Sequence, residues 1–279
     1  MKKNIFLIFL LVIVFNCSKR EFENAAQKPN LIILSPEIAE IVCAIGGEKN
    51  IIAVTNECDY PEILKSKEKV GSFSSQNIEK IVSLQPNMVF SSGLEQQIIK
   101  ERLIKLGLKV HQFYPENIDD LLKTILKIGN LIEKEKNASE IIKNFLNNLP
   151  SIQENRKKPK VYIEIYNKPI MTASAESFVG DIIEKSGGTN LFQNLPRDYC
   201  RVSAESVVEK NPDIILITCP KISKSEIKNR LGWQNISAIK SGQIYTSKDI
   251  DMDLIVRAGP RSINGIKILS KIFRDFYEK

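Results

Sequence analysis

NIEKIVSLQPNMVF, residues 77–90, returns without a gap as SAESVVEKNPDIIL, residues 203–216. Each copy carries a glutamate at its third position, Glu79 or Glu205, then β-branched residues, then a proline, Pro86 or Pro212, just before an apolar run. Proline cannot continue a helix and restricts the residue before it. Each copy therefore reads as a short helix that turns and feeds a buried strand, at Met88–Phe90 and at Ile214–Ile217. A unit that recurs once, after more than a hundred residues, is too widely spaced for a solenoid and indicates two similar domains. Function is then to be sought between two halves.

Outward from the first copy, LIILSPEIAEIVCAIGG (31–47) reads as an apolar strand followed by a helix. Ser35 is placed as its N-cap, Pro36 at its first position, and Gly46 and Gly47 at its end. The strand IIAVT, the loop NECDYPE, the segment VGSFSSQ and the helix–glycine–strand pattern ERLIKLGLKVHQF complete a first unit, residues 31–116. Alternating strands and helices predict a parallel sheet covered by helices. Residues 117–157 are charged, helical in pattern and poor in turn signals, which predicts a stiff connector with a kink or break near Pro150. From 158 to 279 the alternation resumes with VYIEIY, TASAESFVGDIIEKSGG, the second copy with DIILIT, and a final helix from about Arg261.

Within the 279 residues, 43% are hydrophobic, enough for packed cores in two domains. The formal charge is +7, but lysines lie scattered among glutamates with no Arg-rich aromatic patch. This argues against a nucleic-acid partner and reads as solvated surface, with at most a slight bias toward an anionic ligand. MKKNIFLIFLLVIVFNC has the layout of an export signal, Lys2 and Lys3 preceding an apolar stretch too short to span a bilayer comfortably. It resembles a bacterial lipoprotein signal, with residues 1–16 removed, Cys17 lipidated and residues 17–30 forming a tether. Ordinary secretion with cleavage near Ala25 and Ala26, or an uncleaved anchor, are the alternatives.

Cys43, Cys58, Cys200 and Cys219 show no CxxC spacing, so neither a structural zinc site nor a thioredoxin motif is supported. Cys43 reads as a small core residue. His111 is the sole histidine, which argues against a receptor for bare zinc or manganese. There is no GxGxxG, P-loop, GxSxG or HExxH, so the reading of a two-lobed α/β enzyme has no catalytic residues to offer.

Six landmarks occur in order: SPEIAEIVCAIGG, CDYPE, VGSFSSQNIEKIVSLQPNMVF, ESFVGDIIEKSGGTNLF, RVSAESVVEKNPDIILIT and RAGPRSINGI. Together they resemble the substrate-binding proteins of ATP-driven importers for vitamin B12, haem and ferric siderophores, with a layout nearest the cobalamin binders. The resemblance implies two Rossmann-like α/β lobes joined by a single long rigid helix, the class III periplasmic-binding-protein fold, with ligand in the interlobe cleft. The part of the connector from Asn137 to Lys157 matches that helix.

The resemblance also implies a monomer, lipid-anchored at the cell envelope, that hands its ligand to a permease dimer. Glu79 and Glu205 match carboxylates that meet arginines on the two permease halves; the plainer reading is that each is favoured near its own helix N-terminus. Tyr60, Phe73, Tyr199, Arg257 and either Asp249 or Asp251 match positions around the ligand, with Phe73 and Tyr199 standing where cobalamin binders carry tryptophan. A corrinoid is the first expectation, haem or a ferric siderophore the alternative, with Tyr60 or Tyr199 as conceivable haem ligands. No catalytic cofactor is implied. Cys58 and Cys200 each lie beside a ligand position, where they could bind a metal or pair with each other. Trp233 and Arg261 read as structural.

Overall fold

The computed structural model describes residues 29–152 and 157–278. The export signal and Cys17 lie outside the described residues.

The first lobe is a five-stranded parallel sheet built from β1 (Leu31–Ile33), β2 (Ile51–Val54), β3 (Glu68–Lys69), β4 (Met88–Ser92) and β5 (Val110–Phe113), in spatial order β3-β2-β1-β4-β5. Its helices are α1 (Pro36–Ala44), α2 (Ile78–Ser83) and α3 (Gln97–Lys105). β1 and β4 are buried throughout, as the apolar runs require of central strands covered on both faces.

The connector holds two helices, α4 (Ile118–Leu131) and α5 (Glu135–Asn147). The second lobe contains β6 (Lys160–Glu164), β7 (Tyr166–Asn167), β8 (Ile170–Ala173), β9 (Thr189–Asn190), β10 (Tyr199–Arg201), β11 (Ile214–Ile217) and β12 (Ile244–Tyr245). A parallel sheet of order β12-β11-β6-β9 is joined by an antiparallel ribbon, β10-β8-β7. Around them lie α6 (Phe178–Lys185), α7 (Ala204–Lys210), α8 (Lys224–Lys228), α9 (Ser237–Lys240), α10 (Asp253–Val256) and α11 (Ser262–Asp275).

The repeat is reproduced in backbone. α2 and α7 are capped by Asn77 and Ser203, whose side chains accept from the N–H three residues on. Gln85 and Asn211, each directly before its proline, both take φ +46°, and β4 and β11 follow. The two double glycines match as well. Gly46 and Gly187 adopt φ +78° and +87°, while the next N–H, of Gly47 or Gly188, returns to the carbonyl five residues back, a Schellman ending that favours glycine. Ser35 precedes α1 as expected, although its side chain makes no capping bond.

The helix that bridges the lobes is single, as expected, but shorter than the stretch from Asn137 to Lys157. Glu133 takes φ +57° and divides the connector at 132–134, and α5 ends at Asn147, before Pro150 and well short of Lys157. α5, about 20 Å long, bridges the lobes: Asn137 donates to the Ile45 carbonyl at 2.9 Å, and Asn148 accepts from Lys267 of α11 at 2.6 Å. At the start of α4, the Ile118 N–H donates to Asp181 of α6 at 2.8 Å. One apolar cluster runs from Ile33 and Ile41 through Leu121 and Ile128 to Ile182 and Ile214. The sheets are separate, but the lobes share this cluster. Trp233 packs edge-on against Tyr162 within a second cluster confined to the second lobe. Among the described residues no helix is long and apolar enough to cross a membrane.

Candidate functional site

In a parallel sheet whose strand order reverses, the loops at the carboxyl ends of the strands diverge and leave a crevice. Here the reversal falls between β1 and β4, and a cavity of about 410 Å³ opens at that point. Pro36 and Glu37 follow β1, Glu57 follows β2, Phe73 follows β3, Gly93 and Glu95 follow β4, and Tyr114 follows β5. The opposite wall is supplied by Phe178, Tyr199, Val256 and Ala258 of the second lobe. Aromatic side chains thus line the cavity from both lobes.

The Phe73 loop is pinned at both ends of its peptide. Its N–H donates to Glu57 at 2.9 Å, and its carbonyl accepts from the buried Gln96 amide at 3.1 Å. Gln96 also donates to the Leu34 carbonyl and accepts from the Ser92 N–H, tying three strand-end loops together. Tyr114 donates to Asp198 of the second lobe at 2.6 Å, a hydrogen bond across the cleft edge.

On another side of the cleft, Glu40 of α1 is buried and receives Arg261 through both Nε and Nη2 at 2.7 Å, and Arg257 at 3.1 Å. Arg257 also reaches Asp59 at 2.9 Å and Asp253 at 3.0 Å. Burial alone would raise Asp59, but the hydrogen bond and charge of Arg257 outweigh it and hold the carboxyl below the usual range. Burial raises Asp253 despite Arg257.

The ligand positions carried over by resemblance therefore separate. Phe73 and Tyr199 line the cavity. Tyr60 does not; it lies 3.7 Å beneath the Arg261 guanidinium, beside a separate hollow of about 230 Å³ lined also by Glu40 and Cys43. The Arg257 guanidinium is committed to the ion network between the lobes, Asp251 lies 3.4 Å from Arg261, and Asp249 pairs with Lys224 at 2.7 Å and with Thr246. Glu79 and Glu205 are both exposed, one on each lobe, in the first turns of α2 and α7. The Glu205 carboxyl is held below its usual range by its own N–H and the Ser203 hydroxyl.

All four cysteines among the described residues are free, which removes the Cys58–Cys200 disulfide. Burial pushes the Cys58 thiol up to about 11 and the Cys43 thiol up to about 12, so neither is a ready thiolate. Among the described residues no group of three His, Cys, Asp or Glu side chains is arranged to hold a metal ion. His111 lies in β5 between Phe90 and Phe113.

The bias toward an anionic ligand is also corrected. Glu37, Glu57 and Glu95 line the cavity, and among the described residues no lysine, arginine or histidine does. Burial raises the Glu37 carboxyl. Burial, then the charges of Asp198, Glu95 and Glu37, raise the Tyr199 phenol, so these carboxylates act on the cavity interior. Sequence reasoning missed Glu37, Glu57, Glu95, Tyr114, Phe178 and the Tyr114–Asp198 contact. Most were findable, because the first-lobe residues among them follow apolar runs already read as strands.

A cavity between two lobes, walled by aromatic side chains from both, has the form of a small-molecule binding site. The periplasmic binding protein family model matches residues 31–250, and the chain belongs to that family. An ABC transporter substrate-binding lipoprotein of Bacillus subtilis, YvrC, is 27% identical over 96% of this chain and 87% of its own length. The vitamin B12-binding protein of Vibrio vulnificus is 24% identical over 96% and 97%. A solved structure, a possible iron-binding, periplasmic solute-binding protein from Staphylococcus epidermidis, superposes with a TM-score of 0.74. It shows 30% identity over 91% of this chain and all of the other. The chain is a substrate-binding protein of an ABC importer and not an enzyme.

Proposed function

We propose that this chain is the lipid-anchored receptor of a corrinoid importer, carrying its ligand in the interlobe cavity and delivering it to a permease dimer. The observation that carries this reading is the cavity wall, with Phe73 on one lobe and Phe178 and Tyr199 on the other. A flat macrocycle gains most from apolar faces on both sides, with a few polar groups to fix its orientation. The vitamin B12-binding relative aligns across nearly the whole chain and supports the same ligand. Anchoring rests on Cys17 after an apolar export signal and on the lipoprotein name of the Bacillus relative. Docking rests on the two exposed glutamates in matching helical turns, which suit the two equivalent halves of a permease dimer.

A ferric or haem ligand is the second reading, favoured by the name of the Staphylococcus structure. Thermal denaturation of the chain with cyanocobalamin, dicyanocobinamide, hemin and ferric siderophores separates the two. A ligand at a hundredfold over its Kd adds about 2.7 kcal/mol. A shift with a corrinoid is expected; a shift with hemin or a siderophore and none with either corrinoid overturns the proposal.

A further inference from the structure

The ionisable lining of the cavity is one-sided. The exposed Glu57 and Glu95 line it with the more buried Glu37 and with Ser92, and among the described residues no cationic side chain does. The guanidinium groups of Arg257 and Arg261 do not line it and are paired with Glu40, Asp59, Asp251 and Asp253. The Tyr114 hydroxyl is likewise committed, to Asp198. A carboxylate brought to the rim would meet the like charges of Glu57 and Glu95, with no cationic side chain among the lining residues to receive it. Amide arms would instead find acceptors at Glu57 and Glu95, both exposed at the rim.

We infer that Glu57 and Glu95 are specificity-determining residues that select a macrocycle whose arms are amides and reject one whose arms are carboxylates. This rests on the corrinoid reading of the cavity and narrows it to the amidated members of that class. Rejection through repulsive groups is a recognised route to specificity, since selectivity is a difference between two binding free energies. Glu57 also fixes the Phe73 loop through its accepted hydrogen bond. Glutamine preserves an acceptor oxygen there, so Glu57→Gln removes charge while leaving the loop its anchor.

The test is a calorimetric titration with two ligands sharing one ring and the same axial ligands: dicyanocobinamide, with amide arms, and dicyanocobyrinic acid, with carboxylate arms. For the unaltered chain the amide form is expected to bind at least tenfold more tightly. In the Glu57→Gln/Glu95→Gln double variant, with its unfolding midpoint unshifted, that ratio narrows at least threefold, and raising the salt concentration narrows it in the unaltered chain. Equal affinities in the unaltered chain, or an unchanged ratio in the variant, overturn the selection while the corrinoid reading stands. Binding of hemin with neither corrin bound removes the corrinoid reading and, because hemin carries propionates, the charge selection with it.

Discussion

Glu40 shows 4% exposure, and both of its carboxylate oxygens are occupied by arginines from the other lobe. Truncating one member of such a buried set leaves the others uncompensated. Glu40→Ala is therefore expected to lower stability by about 3–5 kcal/mol in urea titration. A loss below about 1 kcal/mol would mean that the network is solvated and does not tie the lobes. Asp59 belongs to the same network and has a lowered carboxyl, so its sign is that of a salt-bridged acid. Its contribution is complete above the unfolded carboxyl value of about 3.9 and is lost as pH falls through the lower folded value. Asp59→Asn should flatten the acid limb of the stability profile below that pH and leave neutral pH less stable. A steeper acid limb in the variant would contradict the assignment. Neither tie was legible in the sequence. The sequence places RAGPR near the cleft but not the partners of its arginines, because Glu40 is 217 and 221 residues from Arg257 and Arg261.

At the scale of elements, the two copies of helix, proline and strand were read correctly because every step is local, while the left-handed Gln85 and Asn211 before the prolines were not. A cap bonds three residues ahead, a proline restricts its neighbour, and an apolar run buries itself. The double-glycine endings were legible for the same reason. The break inside the connector was not legible, because the left-handed residue at Glu133 carries no glycine to announce it. The repeat also gives a test of docking. Glu79→Ala and Glu205→Ala should each weaken binding to the reconstituted permease by about 1 kcal/mol, roughly fivefold, and leave corrinoid affinity unchanged. A sharp loss of ligand affinity in either would place these glutamates at the cavity and not at a permease surface. In the second lobe, Trp233 is fully buried against Tyr162. Trp233→Ala should cost about 3–5 kcal/mol in thermal or urea unfolding. A near-neutral effect would show that this cluster is not the core of the lobe.

Over the whole molecule, the lobes are held by a shared apolar cluster, by α5 spanning from Ile45 to Lys267, by the Glu40 network and by the Tyr114–Asp198 hydrogen bond. So many ties favour small adjustments at the cleft edge over wide hinge motion. The alternation of strands and helices disclosed the two lobes, and the switch-point rule applied to those strands points to the cavity. The charge of that cavity was not legible, because net composition is basic while the carboxylates are gathered at strand ends by topology. The central claim is that cargo is held between aromatic faces supplied by both lobes. Calorimetric titration of cyanocobalamin into the Phe73→Ala/Tyr199→Ala double variant tests it most directly. A loss of at least thirtyfold in affinity is expected, about 1 kcal/mol for each ring, with the fold intact by circular dichroism. Retention of the affinity of the unaltered chain would contradict it.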